Sequence, residues 1–347
     1  MIPNKQMLSK VTIKPLVETL KITDIDDSVY FGKEYADYIS NSRMGLINPM
    51  QGGCPKDFFE GLSKHNKFSS SLAFGSAVHE LSLQPDTFFL CEDVKAPSAK
   101  VGMMADLLWG YASKTGELPD DEKIRDAAST VDYYHGFLTA NQLSKVKATI
   151  KPYFKERFKF EQSSTDTRKP IYLDANSLDR LQNVMSSIEA NKAIQKLLHP
   201  KDILDNELPS YNETTILLDV EVNLPDVEPF IMKLKAKLDN YTIDQLNNSI
   251  VINDVKTTGK PLDGFNYAVK NFHYYREIAF YTWLLQLGAD KYDLKNPSVS
   301  GNFLVVETTD KFNSSVVSMK KHWYKAGVVE FIWLLKLIAW YKAYGYE

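Results

Sequence analysis

Asp239, Asp254 and Lys256 are residues whose types and spacing could do chemistry. They lie in the stretch Lys233–Thr258, KLKAKLDNYTIDQLNNSIVINDVKTT. Asp239 ends one run of alternating apolar residues. A second run, Ser249–Ile250–Val251–Ile252–Asn253, then delivers Asp254–Val255–Lys256. Alternate residues of a strand project to one face, so Asp254 and Lys256 share a side. Two carboxylates and an ammonium at the ends of neighbouring strands are what metal-assisted phosphodiester hydrolysis requires. Carboxylate oxygens hold hard divalent cations, and the lysine offsets charge on the attacking water or the phosphorane. A D-x-K triplet alone is a weak signal, because an ordinary ion pair at a strand end is the default reading. Its surroundings strengthen it. Ile250 and Ile252 mark a central strand whose terminal charges need a reason, and two neighbouring aspartates repel unless a cation lies between them.

The elements that must position these residues are legible as patterns. Glu213–Val220, Pro229–Leu238 and Ile250–Val255 read as strands, with Asn223–Leu224–Pro225–Asp226 as a turn. A helix is predicted over about Asn266–Leu287, then a strand at Phe303–Thr308, a pairing run at Ser315–Met319 and a last helix over about Tyr324–Tyr344. Upstream, Ser69–Leu83 and Asn176–Leu198 carry apolar residues at helical spacing, the latter at Leu178, Leu181, Met185 and Ile188. Residues 100–160 read as mainly helical, and residues 1–35 as loosely organised. Helices, a mostly antiparallel sheet, then a helix, strands and a helix predict an α/β sandwich around one catalytic sheet.

Further residues join the constellation, each with a plain structural alternative. His79 lies mid-helix on a packing face, where a histidine is more often a core residue with one hydrogen bond than a ligand. Glu213 opens the first strand, where a solvated end is the ordinary role. Tyr274, Glu277 and Tyr281 share one helical face; an amphipathic helix with core-capping tyrosines would look the same.

Composition bounds the possibilities. The 347 residues, 44% hydrophobic and 24% charged, are ordinary for a globular chain. No apolar run is long enough to cross a bilayer, and the start of the chain does not read as a signal peptide. Cys54 and Cys91 stand in no metal-binding spacing and suit a reducing cytosol. A formal charge of −3 counts mildly against broad nucleic-acid binding unless positive charge is local. Lys145, Lys147, Lys151, Lys155, Arg157 and Lys159, interleaved with Tyr153, Phe154, Phe158 and Phe160, form such a segment. The lysines could follow a phosphate backbone, while the aromatics read as a core-facing stripe.

The ordered motifs resemble a known family. Phe74–Leu81 (FGSAVHEL), followed by Leu83-Gln84-Pro85 and Phe88, is similar to a signature of RecE-type phage and prophage exonucleases. These are PD-(D/E)XK nucleases of the branch that includes RecB-like and lambda-exonuclease-like enzymes. The likeness continues through Glu213, Lys235-Ala236-Lys237-Leu238-Asp239, Asp254-Val255-Lys256-Thr257-Thr258, the Tyr274…Glu277…Tyr281 helix and Asn302–Glu307. It covers roughly residues 38–95 and 180–345.

The resemblance implies a restriction-endonuclease-like α/β sandwich, with a central mixed sheet flanked by helices and N-terminal helical elements. Residues 1–68 would be an N-terminal extension and 69–347 the nuclease domain, with a mainly helical insertion at about 100–175. It also implies roles. His79, Asp239, Asp254 and the Val255 carbonyl would ligate Mg²⁺ (Mn²⁺ as substitute), Glu213 would bind or orient the metal, Lys256 would position and activate the water, and Tyr281 would shape the site. Three positions depart from the pattern: Asp254 for the commoner glutamate, Lys237 for arginine, and Glu277 for glutamine, which adds negative charge near the site.

The function implied is a Mg²⁺-dependent DNA exonuclease acting 5′→3′ on duplex ends. It would form a homo-oligomer, work beside a single-strand annealing protein and act in the cytoplasm of a bacterial host. The alternatives are a structure-selective or nicking endonuclease of the same fold, and a non-catalytic DNA-binding or virion protein built on it.

Overall fold

Two hairpins build the sheet that carries the acidic residues. The computed structural model describes residues 3–61, 70–309 and 311–346. Its strands are β1 (Thr12–Pro15), β2 (Lys21–Thr23), β3 (Phe88–Leu90), β4 (Lys169–Ile171), β5 (Ser210–Leu224), β6 (Val227–Asp244), β7 (Ser249–Thr258), β8 (Ser298–Glu307) and β9 (Ser314–Ser318). Asp226, at φ 60, turns β5 into β6, and Asn248, at φ 46, helps turn β6 into β7. Asn and Asp tolerate this left-handed backbone better than other non-glycine residues.

The chain divides into two units. The first comprises Met1–His65, Asn191–Val305 and Ser314–Glu347. It holds a central mixed sheet flanked by helices, in the order β1-β5-β6-β7-β8-β9. β2 pairs beside β1 along the same edge of β5. The stretch read as loosely organised therefore supplies two short edge strands. Both are too short for alternation to show, and their pairing is set by the long partner strand.

Helices Tyr274–Leu287 and Lys321–Tyr344 pack against each other in this unit. A Cβ on Gly327 would lie 2.5 Å from the Tyr275 carbonyl oxygen, so this close approach requires glycine. Phe280, Leu284, Leu285, Phe331, Leu334 and Leu335 are fully buried there, each stabilising by roughly 1.5–3 kcal/mol.

The second unit comprises Asn66–Ala190 and Val306–Asn313. It is mainly helical, with Ser70–Leu83, Ala99–Thr115, Asp121–Thr130, Ala140–Ser163 and Ala175–Ala190, plus a small parallel pair, β3 with β4. Tyr153 and Phe154 are buried in its core beside Trp109, so these aromatics serve packing. The Arg157 guanidinium stacks between Trp109 and Tyr172, 4.1 and 4.2 Å from their ring centres, and so is structural. Lys151, Lys155 and Lys159 are exposed on the outer face of that helix.

Two helices read as continuous are broken, each by a residue with a physical reason. The Asn191 side chain accepts from the backbone of Ala193 and Ile194, starting a new helix at Lys192–Leu198. His273 adopts a left-handed backbone, φ 56, separating Phe265–Asn271 from Tyr274–Leu287. It is buried, with Nδ1 2.7 Å from Glu330 Oε1 and 2.9 Å from the Tyr275 hydroxyl. Ser69, where the early helix was expected to begin, and residue 68, where the domain boundary was expected, lie outside the described residues.

Candidate active site

Asp239 and Asp254 lie inside their strands rather than at the ends. The β6–β7 register pairs Asn240 with Asn253, so Asp239 and Asp254 follow abreast, one step further. The β5–β6 register pairs Asn212 with Asn240 and Thr214 with Leu238, skipping Glu213. Glu213 thus stands level with Asp239, and their carboxylate oxygens lie within 4.8 Å. Glu213, Asp239 and Asp254 form one lateral row across β5, β6 and β7.

Glu213 has a left-handed backbone, φ 48. A non-glycine residue held so within a strand costs roughly 1–3 kcal/mol and persists only where its surroundings over-determine it. Its carboxylate meets Lys237, whose Nζ is 3.1 Å from Oε2 and also pairs with Asp27. Asp239 Oδ2 accepts the Val255 backbone N–H at 2.7 Å, which ties the second carboxylate to the strand of the third.

Asp254 is buried, 2% exposed. Lys256, two residues on and therefore on the same face, places Nζ 2.7 Å from Asp254 Oδ2. Oδ2 makes no well-directed hydrogen bond, so the contact is an ion pair. Lys256 Nζ is also 3.2 Å from Glu277 Oε2 and 4.9 Å from the Tyr274 ring centre. The Tyr281 hydroxyl donates to Glu277 Oε1 at 3.1 Å. Tyr274, Glu277 and Tyr281 thus act from one helix face, as their spacing predicts. Glu277 grips the lysine, so its extra charge is matched.

The electrostatics follow from this crowding. Burial raises the Asp254 pKa well above its ordinary 3.8, Lys256 opposes that rise, and Glu277 and Asp239 add to it. Burial works against the Lys256 ammonium, but Asp254, Glu277 and Asp239 outweigh it and hold its pKa well above the ordinary lysine value. Burial, then Glu277 and the aspartates, raise Tyr281 well above the usual phenol value. Lys256 is therefore a fixed positive charge at neutral pH, and Tyr281 a neutral hydroxyl.

A stability prediction arises here. With its pKa raised by folding, Asp254 binds more proton in the folded than in the unfolded chain between those two pKa values. Its contribution to stability therefore falls as pH rises through the raised value. Asp254→Asn removes a carboxylate that burial disfavours, while Glu277 still pairs with Lys256, so it is expected to stabilise the cation-free protein at neutral pH by about 1 kcal/mol. It should also flatten the fall in thermal midpoint with rising pH, as read by scanning calorimetry from pH 5 to 9.

The donor set suits one class of metal. Glu213, Asp239 and Asp254 offer only carboxylate oxygen, and Asp254 Oδ2 is buried with the Lys256 ammonium as its neighbour. Both features fit a hard divalent cation such as Mg²⁺ or Mn²⁺. His79 lies on the helix Ser70–Leu83 of the second unit, partly buried. Two residues of this site escaped notice as partners in the sequence: Lys237, which pairs with Glu213, and Asp27, which pairs with Lys237. Counting outward from the β6–β7 turn sets Asp239 level with Asp254, but counting from the β5–β6 turn falls one residue short for Glu213, because a register shift between Val222 and Leu224 intervenes.

No family model matches the chain. No curated protein matches it. Among solved structures it is similar to a candidate exonuclease from Eubacterium rectale, at 11% identity and TM-score 0.47 over 91% of this chain and 87% of that one.

Proposed function

We propose that this chain is a Mg²⁺-dependent DNA exonuclease that hydrolyses phosphodiester bonds from duplex ends, 5′→3′, in recombination or repair. The observation that carries this reading is the row of Glu213, Asp239 and Asp254 on adjacent strands, with Lys256 Nζ held 2.7 Å from Asp254. Structural ion pairs need one acid per base. A row of acids this crowded is stabilised when it holds a cation.

Asp239, Asp254, the Val255 carbonyl and Glu213 would hold the ion, with His79 added on the sequence resemblance. A divalent cation bound there would supply Lewis acidity toward the phosphoryl oxygen and the attacking water. Lys256, fixed as an ammonium, would orient that water or offset charge on the phosphorane by donating, without removing a proton. Glu277 and Tyr281 would hold Lys256 in place. The same resemblance extends the proposal to a homo-oligomer that works beside a single-strand annealing protein in a bacterial host cytoplasm. The exposed lysines of Ala140–Ser163 would follow the DNA backbone.

The test is digestion of end-labelled linear duplex, with closed circular duplex as the comparison. Cleavage of the linear form is expected with Mg²⁺ or Mn²⁺, none with EDTA, and little with Ca²⁺, whose looser coordination positions water poorly. Circular DNA should survive; its cleavage would move the assignment to an endonuclease. Failure to cut any duplex with Mg²⁺ or Mn²⁺, or full activity in EDTA, would sink the nuclease reading.

A further inference from the structure

Behind the acidic row runs a chain of side-chain amides. Asn212, Asn240 and Asn253 occupy the next row of β5, β6 and β7, and alternation turns the Asn240 and Asn253 side chains to the face opposite Asp239 and Asp254. Asn240 Nδ2 donates to Asn212 Oδ1 at 2.7 Å, and Asn253 Nδ2 donates to Asn240 Oδ1 at 2.7 Å. Asn302 on β8 donates to Asn253 Oδ1 at 3.2 Å, and the Ser318 hydroxyl on β9 donates to Asn302 Oδ1 at 2.9 Å. The hydrogen-bonded line therefore crosses five successive strands. Asn240 and Asn253 are fully buried, and Asn302 is nearly so.

Its direction is determined. Asn253 Nδ2 also donates to the Leu197 carbonyl at 3.2 Å. A carbonyl only accepts, so the Asn253 amide cannot be flipped, and its neighbours must align with it. Asn240 Nδ2 makes a second bond, to Ser210 Oγ at 2.8 Å. Both central amides thus use both their N–H groups and their oxygen.

Aliphatic side chains would fill these positions without desolvating amides. What the amides add is registry. A hydrophobic strand pair tolerates a slip of two residues, because alternation is restored. A buried amide line does not, since any slip leaves several donors and acceptors unpaired at roughly 1–3 kcal/mol each. The strain at Glu213, whose neighbour Asn212 ends the line, also needs such an anchor.

We propose that Asn212, Asn240, Asn253, Asn302 and Ser318 form a positioning line that keeps Glu213, Asp239 and Asp254 abreast to hold a divalent cation. The inference rests on the metal-binding reading of that row. The amides touch neither substrate nor cation; they act through strand register.

Two variants test it. Asn302→Leu alters a strand that carries none of the acids. The double variant Asn240→Leu/Asn253→Leu removes both partners of the central bond and also leaves the Leu197 carbonyl and the Asn302 amide without theirs, so some stability is lost with it. Mn²⁺ affinity by titration calorimetry, thermal midpoint, and kcat and KM on linear duplex are measured together.

Mn²⁺ affinity is expected to fall about tenfold to a hundredfold in the double variant and several-fold in Asn302→Leu, as for other groups that orient metal ligands. kcat should fall with it, KM for DNA should hold, and raised Mn²⁺ should restore part of kcat. Variants whose Mn²⁺ affinity and kcat match wild type overturn the positioning line and leave the site intact. So does a loss of kcat that tracks thermal midpoint alone. Wild type that binds no Mn²⁺ overturns the metal-binding reading and the positioning line with it. If the double variant does not fold, Asn302→Leu and the milder Ser318→Ala decide, by whether Mn²⁺ affinity falls while the midpoint holds.

Discussion

Lys256→Ala is expected to lower turnover of linear duplex by about two to three orders of magnitude, the range for removing a group that stabilises developing charge. The ammonium is anchored on three sides, by Asp254, Glu277 and the Tyr274 ring. The same substitution leaves Asp254 and Glu277 without the lysine charge that they share. The cation-free protein should therefore lose about 3 kcal/mol of stability, as when one partner of a buried pair is removed. Added Mg²⁺ should then raise the thermal midpoint more than it does in wild type, because it supplies the missing charge.

These two changes run in opposite directions, which separates chemistry from folding: a variant refolded by Mg²⁺ yet inactive has lost a catalytic group. Lys256→Arg keeps the charge and is expected to retain part of the rate. Its alkaline profile should match wild type, because neither side chain gives up its proton in the working range. A Lys256→Ala enzyme with wild-type turnover at saturating Mg²⁺ would remove the lysine from the mechanism.

How far the site could be read from sequence depended on the length scale of each signal. The i, i+2 relation of Asp254 and Lys256 and the one-face relation of Tyr274, Glu277 and Tyr281 are local, and both hold. The hairpin partners of Asp239 required a count from two turns: the Pro225–Asp226 turn is plain but is followed, counting outward, by a register shift that the pattern does not show, and the Gln245–Asn248 turn has no glycine or proline. The asparagine line was beyond reach, since a single Asn in a strand reads as a weak strand former, and its meaning comes only from four other strands. The broken helices follow the same logic. Apolar periodicity continues across Asn191 and His273, while Asn191 caps the new helix and also donates to the Ser314 carbonyl at 2.9 Å, and His273 is held by Glu330.

Arg276 was equally silent in the sequence, and it carries the second large effect. It is 2% exposed, on the helix face opposite the acidic site's tyrosines, and its guanidinium donates four hydrogen bonds. Nη1 donates to Glu330 Oε1 at 2.9 Å and to Gln51 Oε1 at 3.0 Å, while Nε and Nη2 reach the Asn41 side chain and carbonyl at 2.8 and 3.2 Å. Glu330, itself buried, also accepts from Asn48 at 2.8 Å and from the Tyr275 hydroxyl at 2.5 Å. One side chain thus joins the helices Asn41–Ile47, Tyr274–Leu287 and Lys321–Tyr344.

Arg276→Met is expected to cost about 3–5 kcal/mol, since it takes the guanidinium from a buried carboxylate. Arg276→Lys should recover little of this, because a point-like ammonium cannot span the fork's four acceptors. The double variant Arg276→Met/Glu330→Leu should be more stable than the sum of its single variants predicts, with a coupling of about 1–3 kcal/mol in urea unfolding. The Mg²⁺ affinity of the folded fraction should be unchanged throughout, because this network and the acidic row share no side chain. A cost below about 1 kcal/mol for Arg276→Met would mean that apolar contacts between the helices, rather than this ion pair, hold the helix Asn41–Ile47 in place.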